Sequence, residues 1–204
     1  MRTRYRWSAR AASAALLVVT ACTLAQAGYD EGKAAYNKGD FDAALREWRP
    51  LAERGDAKAQ KKLGDMYAGA EGVDENDGIA IQWYRKAAEQ GVVEAQTSLG
   101  LMYESGQGVH QNHALAMDWY RKAAALKDPV GQSSLAAMYD YGLSVPRNRV
   151  VAYALYNLSP LNRFYAQALQ HKMTRAQTKA GEELTDRLAH ATDFLKALDQ
   201  ATRR

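Results

Sequence analysis

Identical side chains return every 36 residues along this chain. Gln60, Gln96 and Gln132 keep that step, and so do Leu63, Leu99 and Leu135, and Tyr67, Tyr103 and Tyr139. A second series, Ala44, Ala80, Ala116 and Ala152, keeps it too, accompanied by Trp48, Tyr84, Tyr120 and Tyr156. Repetition at this length marks small helical or mixed units that cannot bury an apolar face alone and must stack so that neighbours share one interior. The series defines at least three full units, with a divergent fourth in front.

Within a unit the apolar residues fall at helical spacing. Ala80, Trp83, Tyr84, Ala87 and Ala88 lie at i, i+3, i+4, i+7 and i+8 and so make one helix face. A preceding helix presents Leu63, Gly64 and Tyr67, repeated as Leu99, Gly100 and Tyr103, where the glycine sacrifices helix propensity for a close neighbour. Glycine-rich loops, Ala68 to Val73 and Glu104 to Val109, separate the two helices and can accept positive φ. Asp40, Asn76, Asn112 and Asn148 each stand four residues before the repeated alanine, where a helix N-cap belongs. Asp128-Pro129 opens a first helix in the same manner. Met66, Met102 and Met138 share the interval and read as adaptable fillers between helix pairs.

The pattern Gln60-x-x-Leu63-Gly64-x-x-Tyr67, Gly72-Val73, Ala80-x-x-Trp83-Tyr84-x-x-Ala87-Ala88-x-x-Gly91 resembles a Sel1-like repeat and recurs nearly intact from Gln96 to Ala124. The resemblance covers about Ala57 to Tyr156. The segment Glu31 to Asp56 is similar instead to a tetratricopeptide hairpin, with Gly32, Gly39-Asp40-Phe41, Ala44 and Pro50 and a shorter turn. The resemblance implies an all-α, right-handed superhelical solenoid of antiparallel helix pairs with a concave groove. Its expected divisions are a first hairpin at 28–56, repeats at 57–92, 93–128 and 129–160, and capping helices at 161–204. The third repeat departs from the pattern, with Ala136 for Gly100, Ser144 for Gly108 and Leu155 for Trp119. Drift of this kind is expected where a unit loses one neighbour. Thr174-Arg175-Ala176-Gln177 reads as a capping box, opening one last helix with Leu184, Leu188, Ala191, Leu195 and Leu198 on a common face. Its polar close, Asp199 to Arg204, is expected to fray.

The amino terminus reads as an export signal. Arg2, Arg4, Arg6 and Arg10 precede an apolar run, Ala11 to Ala21, too short to span a bilayer as a helix, and Ala25-Gln26-Ala27 offers a cleavage site before Gly28. A periplasmic or secreted product is therefore expected. Val19-Thr20-Ala21-Cys22 also resembles a lipobox, which would make Cys22 the lipidated first residue of an anchored envelope protein. Plain cleavage is favoured, since the repeats begin too soon after Cys22 to leave a long tether and one acyl chain anchors weakly. Segment 1–27 holds four of the 27 basic residues and none of the 23 acidic ones, so the remainder is formally neutral. That balance argues against a phosphate-backbone partner. With Cys22 removed or acylated no thiol remains for a disulfide or a zinc site.

No Gly-x-Ser-x-Gly elbow, Ser-x-x-Lys, phosphate-binding Gly-Lys-Ser/Thr loop, His-Glu-x-x-His or dinucleotide fingerprint occurs. Asp74 to Gly78 is rich in oxygen ligands but lacks the spacing and distal glutamate of a calcium loop. His110 and His113 have no further ligand at metal spacing and read as solvated loop residues, while His171 and His190 lack a nucleophile or acid partner in sequence. The expectation is a non-catalytic chain without cofactor or metal. Some cysteine-rich secreted relatives of this repeat type are linked to β-lactam binding or hydrolysis, but their paired cysteines are absent here.

Stacked hairpins offer an extended concave surface, so the expected activity is to hold another protein or peptide. The alternative is a lipid-anchored scaffold like those of exopolysaccharide secretion. If the tetratricopeptide rule for groove-facing positions carries over, the surface comprises Lys58, Lys61, Asp65, Glu94, Thr97, Leu101, Glu104, Ser133 and Asp140, with Tyr36 and Asn37 in front. Its mixed charge suits a protein better than a uniform polyanion.

Overall fold

Each repeated cap does what its chemistry allows. In the computed structural model, which describes residues 25–203, the side chains of Asp40, Asn76, Asn112 and Asn148 accept from the backbone N–H of Ala43, Ile79, Leu115 and Val151 at 2.9–3.1 Å. These caps start the second helix of each pair: α2 (Phe41–Glu53), α4 (Asp77–Glu89), α6 (His113–Ala125) and α8 (Arg149–Asn157). The first helices are α1 (25–37), α3 (Ala57–Ala68), α5 (Val93–Ser105) and α7 (Pro129–Tyr141). Asp56 caps α3 and Asp128 caps α7, while Val92 at the head of α5 offers no side-chain acceptor. No strand occurs among the described residues. The expected signal and Cys22 lie outside them, apart from Ala25 to Ala27, which belong to α1.

Consecutive helices pack in sequence order, α2 on α3, α3 on α4 and so on to α8, so the chain is an all-helical solenoid. Its interior is the repeated set. Leu63, Leu99 and Leu135 are fully buried, as are Ala44, Ala80, Ala116 and Ala152. Gly64 admits the Tyr84 ring, since a Cβ there would sit 2.6 Å from it, and Gly100 admits Tyr120 in the same way. The turn after each first helix also repeats its backbone: φ is 71° at Gly72, 68° at Gly108 and 66° at Ser144. The third repeat thus keeps a left-handed conformation although its residue is no longer glycine, and it bears the strain because the flanking helices fix the turn. Two apolar clusters form. A smaller one joins Ala44, Trp48, Leu51, Ala52, Ala59, Leu63 and Met66, and a larger one runs from Ala80 to Leu198.

Gln60 shows how one pair is tied to the next. Its amide donates to the Ala52 carbonyl at 3.0 Å and accepts from Gln90 at 2.8 Å. Gln96 repeats the donation, to Ala88 at 3.2 Å, but the counterpart of Gln90 is Leu126, which cannot donate, and Gln96 Oε1 is left buried without a partner. Leu126 is 54% exposed, so little apolar burial depends on it. Leu126→Gln is therefore expected to raise stability by about 1 kcal/mol, read as a higher urea midpoint at unchanged slope. An unchanged or lower midpoint would show that the orphaned oxygen costs nothing.

From Thr174 onward the C-terminal end departs from the expected single last helix. Pro160 stops α8, a 3₁₀ turn (Pro160–Asn162) follows, and then come α9 (Arg163–Gln170), α10 (Arg175–Ala189) and α11 (Phe194–Thr202). The Thr174–Gln177 capping box opens α10, with both reciprocal bonds present. α10 packs on α8, where Gly181 meets the Tyr153 ring. The predicted continuous face breaks at His190, because Asp193 caps a fresh helix by accepting from Lys196 N–H at 2.9 Å. Leu184 and Leu188 are buried on α10 and Leu198 on α11, while Ala191 lies in the connection. Asp199 does not fray either, since it pairs with Arg121 at 2.6 Å. α11 folds back toward α6.

Candidate functional site

The first helices α1, α3, α5 and α7 carry the expected binding residues, and the structure divides them into two groups. Asn37, Lys58 and Glu94 are exposed, Leu101 is 49% exposed, and Lys61 is partly so. Lys58, Lys61 and Glu94 come together in an open groove of about 600 Å³, whose other wall is Tyr29, Asp30 and Lys33 of α1. Lys58 reaches over the Tyr29 ring at 5.9 Å, and burial first, then nearby carboxylates such as Asp56, raises the Tyr29 pKa above its ordinary value.

The rest are occupied by the fold itself. Thr97 is 7% exposed, and its hydroxyl donates to the Val93 carbonyl and the Asp128 carboxylate. Asp140 is 8% exposed and lies 3.5 Å from Arg147. Neither offers a surface, because Thr97 is engaged by Val93 and Asp128 and Asp140 is covered beside Arg147. Asp65 accepts from Lys61 at 2.8 Å and from the Tyr84 hydroxyl at 3.0 Å, and Glu104 accepts from the Tyr120 hydroxyl at 2.6 Å. Ser133 is half-buried and donates to the Val130 carbonyl. Tyr36 packs its ring against Phe41 and Trp48 and donates to Glu71 at 2.7 Å, so it is a structural residue more than a docking one.

Burial and the tyrosine–carboxylate bonds together favour the protonated phenols. The bond to Glu71, helped by burial, pushes the Tyr36 pKa up to about 12. Burial, then the adjoining carboxylates Asp65 and Glu104, drives Tyr84 and Tyr120 higher still. Each raised phenol stabilises the fold fully below its unfolded value of 10.0, and that contribution is lost as pH rises beyond it. In an alkaline titration Tyr84 and Tyr120 are expected to give phenolate absorbance only as helical circular dichroism disappears. Ionisation of both near pH 10 with helicity intact would contradict these bonds.

Sequence reasoning missed the wall of the groove. Tyr29, Asp30 and Lys33 lie in a helix whose start was assigned to a cleavage site, although Tyr29, Gly32 and Tyr36 stand at helical spacing. It also missed Tyr141, Leu161, Phe164 and Tyr165, all more than half exposed near the C-terminal end. His110 is exposed and His113 half-buried at the start of α6, and no cluster of three or more metal-ligating side chains occurs among the described residues. No helix among them is long and apolar enough to cross a membrane.

A family model described as Sel1 repeat matches residues 57–92, 93–128 and 129–159. Among solved structures, a Sel1 repeat protein from Oxalobacter formigenes is 32% identical with a TM-score of 0.61, covering 63% of this chain and 53% of its own. A protective antigen present in uropathogenic Escherichia coli strains, displaying an SLR fold, is 34% identical with a TM-score of 0.62, covering 86% of this chain and 36% of its own. The chain thus spans about half the length of the first and about a third of the second. No curated protein matches the chain significantly.

Proposed function

Because the chain belongs to the Sel1 repeat family, we propose that it is a non-catalytic scaffold that holds another protein on the face formed by its first helices. The observation that carries this reading is the groove in which Lys33, Lys58 and Lys61 meet Asp30 and Glu94, with Leu101 exposed farther along α5. Opposite charges at close quarters and an apolar side chain match the mixed surface of a folded or extended polypeptide, and they would repel parts of a uniform polyanion. The held surface runs from Asn37 through Lys58 and Glu94 to Leu101.

The arginine-rich leader and its Ala25-Gln26-Ala27 site support export to the periplasm or beyond as part of the same proposal. The Val19-to-Cys22 sequence supports a second form, anchored by lipid and otherwise identical in what it holds. The mass of the mature protein separates them, with Gly28 free in one case and an acylated Cys22 in the other. The holding surface is tested by affinity capture from envelope extracts of the native host. The double variant Lys58→Glu with Leu101→Asp is expected to lose partners that the wild type retains while keeping its helical spectrum. Equal recovery of every partner by the two proteins would eliminate this face.

A further inference from the structure

The repeat explains most apolar side chains of this chain, but not a group at its C-terminal end. Leu161 at 77%, Phe164 at 74% and Tyr141 at 70% are the most exposed large apolar side chains among the described residues. One and two repeats earlier, Ser105 and Gly69 stand where Tyr141 stands, so hairpin packing does not call for a ring there. Tyr165 joins the three. Its ring stacks on Tyr156 at 5.4 Å and meets Phe164 edge-on at 5.8 Å. Burial first, then the neighbouring Asp140, Tyr141 and Tyr165, raises the Tyr156 pKa above its ordinary value, so Tyr141 and Tyr165 lie beside the same phenol. Leu161, Phe164, Tyr165 and Ala168 follow one another at i, i+3, i+4 and i+7, and all four are exposed. Asn162, Ala166 and Leu169 are the buried side, where α9 packs on α8. α9 thus has apolar side chains on its covered side and on its open one.

The charge around this face has one sign. From Tyr141 to Gly181 no Asp or Glu occurs, while Arg147, Arg149, Arg163, Lys172, Arg175 and Lys179 do. Arg163 is exposed next to Phe164, and Lys172, also exposed, follows α9 where its carbonyl accepts from Arg149 at 3.2 Å. The acids at the two ends of α7 are engaged. Asp128 accepts from Thr97 and from the Gly131 N–H, and Asp140 is buried beside Arg147. Side chains about three-quarters exposed project from the surface. A protein partner would need a cavity shaped for each of them, whereas the headgroup layer of a bilayer takes projecting rings without one, and cationic neighbours then meet anionic headgroups. A second copy of the same face would bring like charges together.

We propose that α9 and the adjacent end of α7 dock on the surface of an anionic phospholipid bilayer, with Tyr141, Leu161, Phe164 and Tyr165 entering the headgroup layer and Arg163 and Lys172 against the lipid phosphates. This face is separate from the groove on α1, α3 and α5. The test places an environment-sensitive dye on Ala168→Cys in the full chain carrying Cys22→Ser, since Cys22 is its only cysteine. The dye reports burial of this face alone, so a leader or anchor that holds the chain on lipid elsewhere does not imitate it. Vesicles of phosphatidylglycerol mixed with phosphatidylcholine are expected to give a blue-shifted rise that phosphatidylcholine alone does not. The apparent affinity should fall about tenfold or more in Arg163→Glu with Lys172→Glu, and likewise in Leu161→Ser with Phe164→Ser. All four side chains are exposed, so both pairs should keep the wild-type circular dichroism. No rise with the anionic vesicles, an equal rise with neutral ones, or a rise that either pair leaves unchanged overturns the proposal. So does the same rise given without lipid by a single-stranded oligonucleotide, which would mark a polyanion site, or by raising the protein concentration, which would mark self-association.

Discussion

Gly100→Val is expected to leave the chain unable to fold to its native state. A helical glycine normally costs about 1 kcal/mol relative to alanine, so a substitution there should help if propensity decided the matter. It does not, because the Tyr120 ring occupies the space where a Cβ would go. Tyr120 has no room to retreat: it is fully buried, and its hydroxyl is held by Glu104 at 2.6 Å. Even Gly100→Ala should therefore destabilise by about 1–3 kcal/mol, the usual cost of overpacking. Valine adds two more carbons to the same clash and should consume most of a typical domain stability of about 5–15 kcal/mol. The third repeat shows how the exchange can be accommodated. Ala136 is fully buried there, and its partner Tyr156 stacks on Tyr165 of α9 at 5.4 Å. Tyr120 makes no such ring contact among the described residues. Urea unfolding of the alanine variant decides the point, and a midpoint equal to wild type would mean that the close approach of α5 and α6 is not what the glycine serves.

Trp48→Ala is expected to cost about 3–5 kcal/mol, the range for emptying a fully buried large aromatic site. Trp48 is 0% exposed, its ring lies 5.4 Å from that of Tyr36, and its indole N–H donates to the Tyr29 carbonyl at 3.1 Å. It is the largest side chain of the smaller apolar cluster, which is distinct from the one that starts at Ala80. Repeats that touch only their neighbours lose stability locally, so the loss should fall on α1 and α2 first. Hydrogen exchange should show residues 25–53 unprotected while α5 to α8 retain wild-type protection. A single transition that releases all helices together would show instead that the two clusters melt as one.

Much of the architecture was legible because repetition and capping are local properties. The 36-residue interval, the four acidic or amide caps and the Thr174–Gln177 box each act within a few residues of themselves, and each forms the helix start expected of it. The candidate surface was legible only in part. A position on a helix face can be counted from sequence, but whether Asp65 and Glu104 remain available depends on Tyr84 and Tyr120, which reach them from the next helix.

What the chain determined by itself is the periodic burial of leucine, alanine and glycine, since side-chain size and helical spacing suffice to select one face of each helix. Tertiary structure alone decided two further things. It buried Thr97 and Asp140, and it set Asp199 on Arg121 across 78 residues of sequence. The physical reason is common to both. Burial and charge pairing between distant segments depend on where the superhelix brings them, and no short-range preference carries that distance.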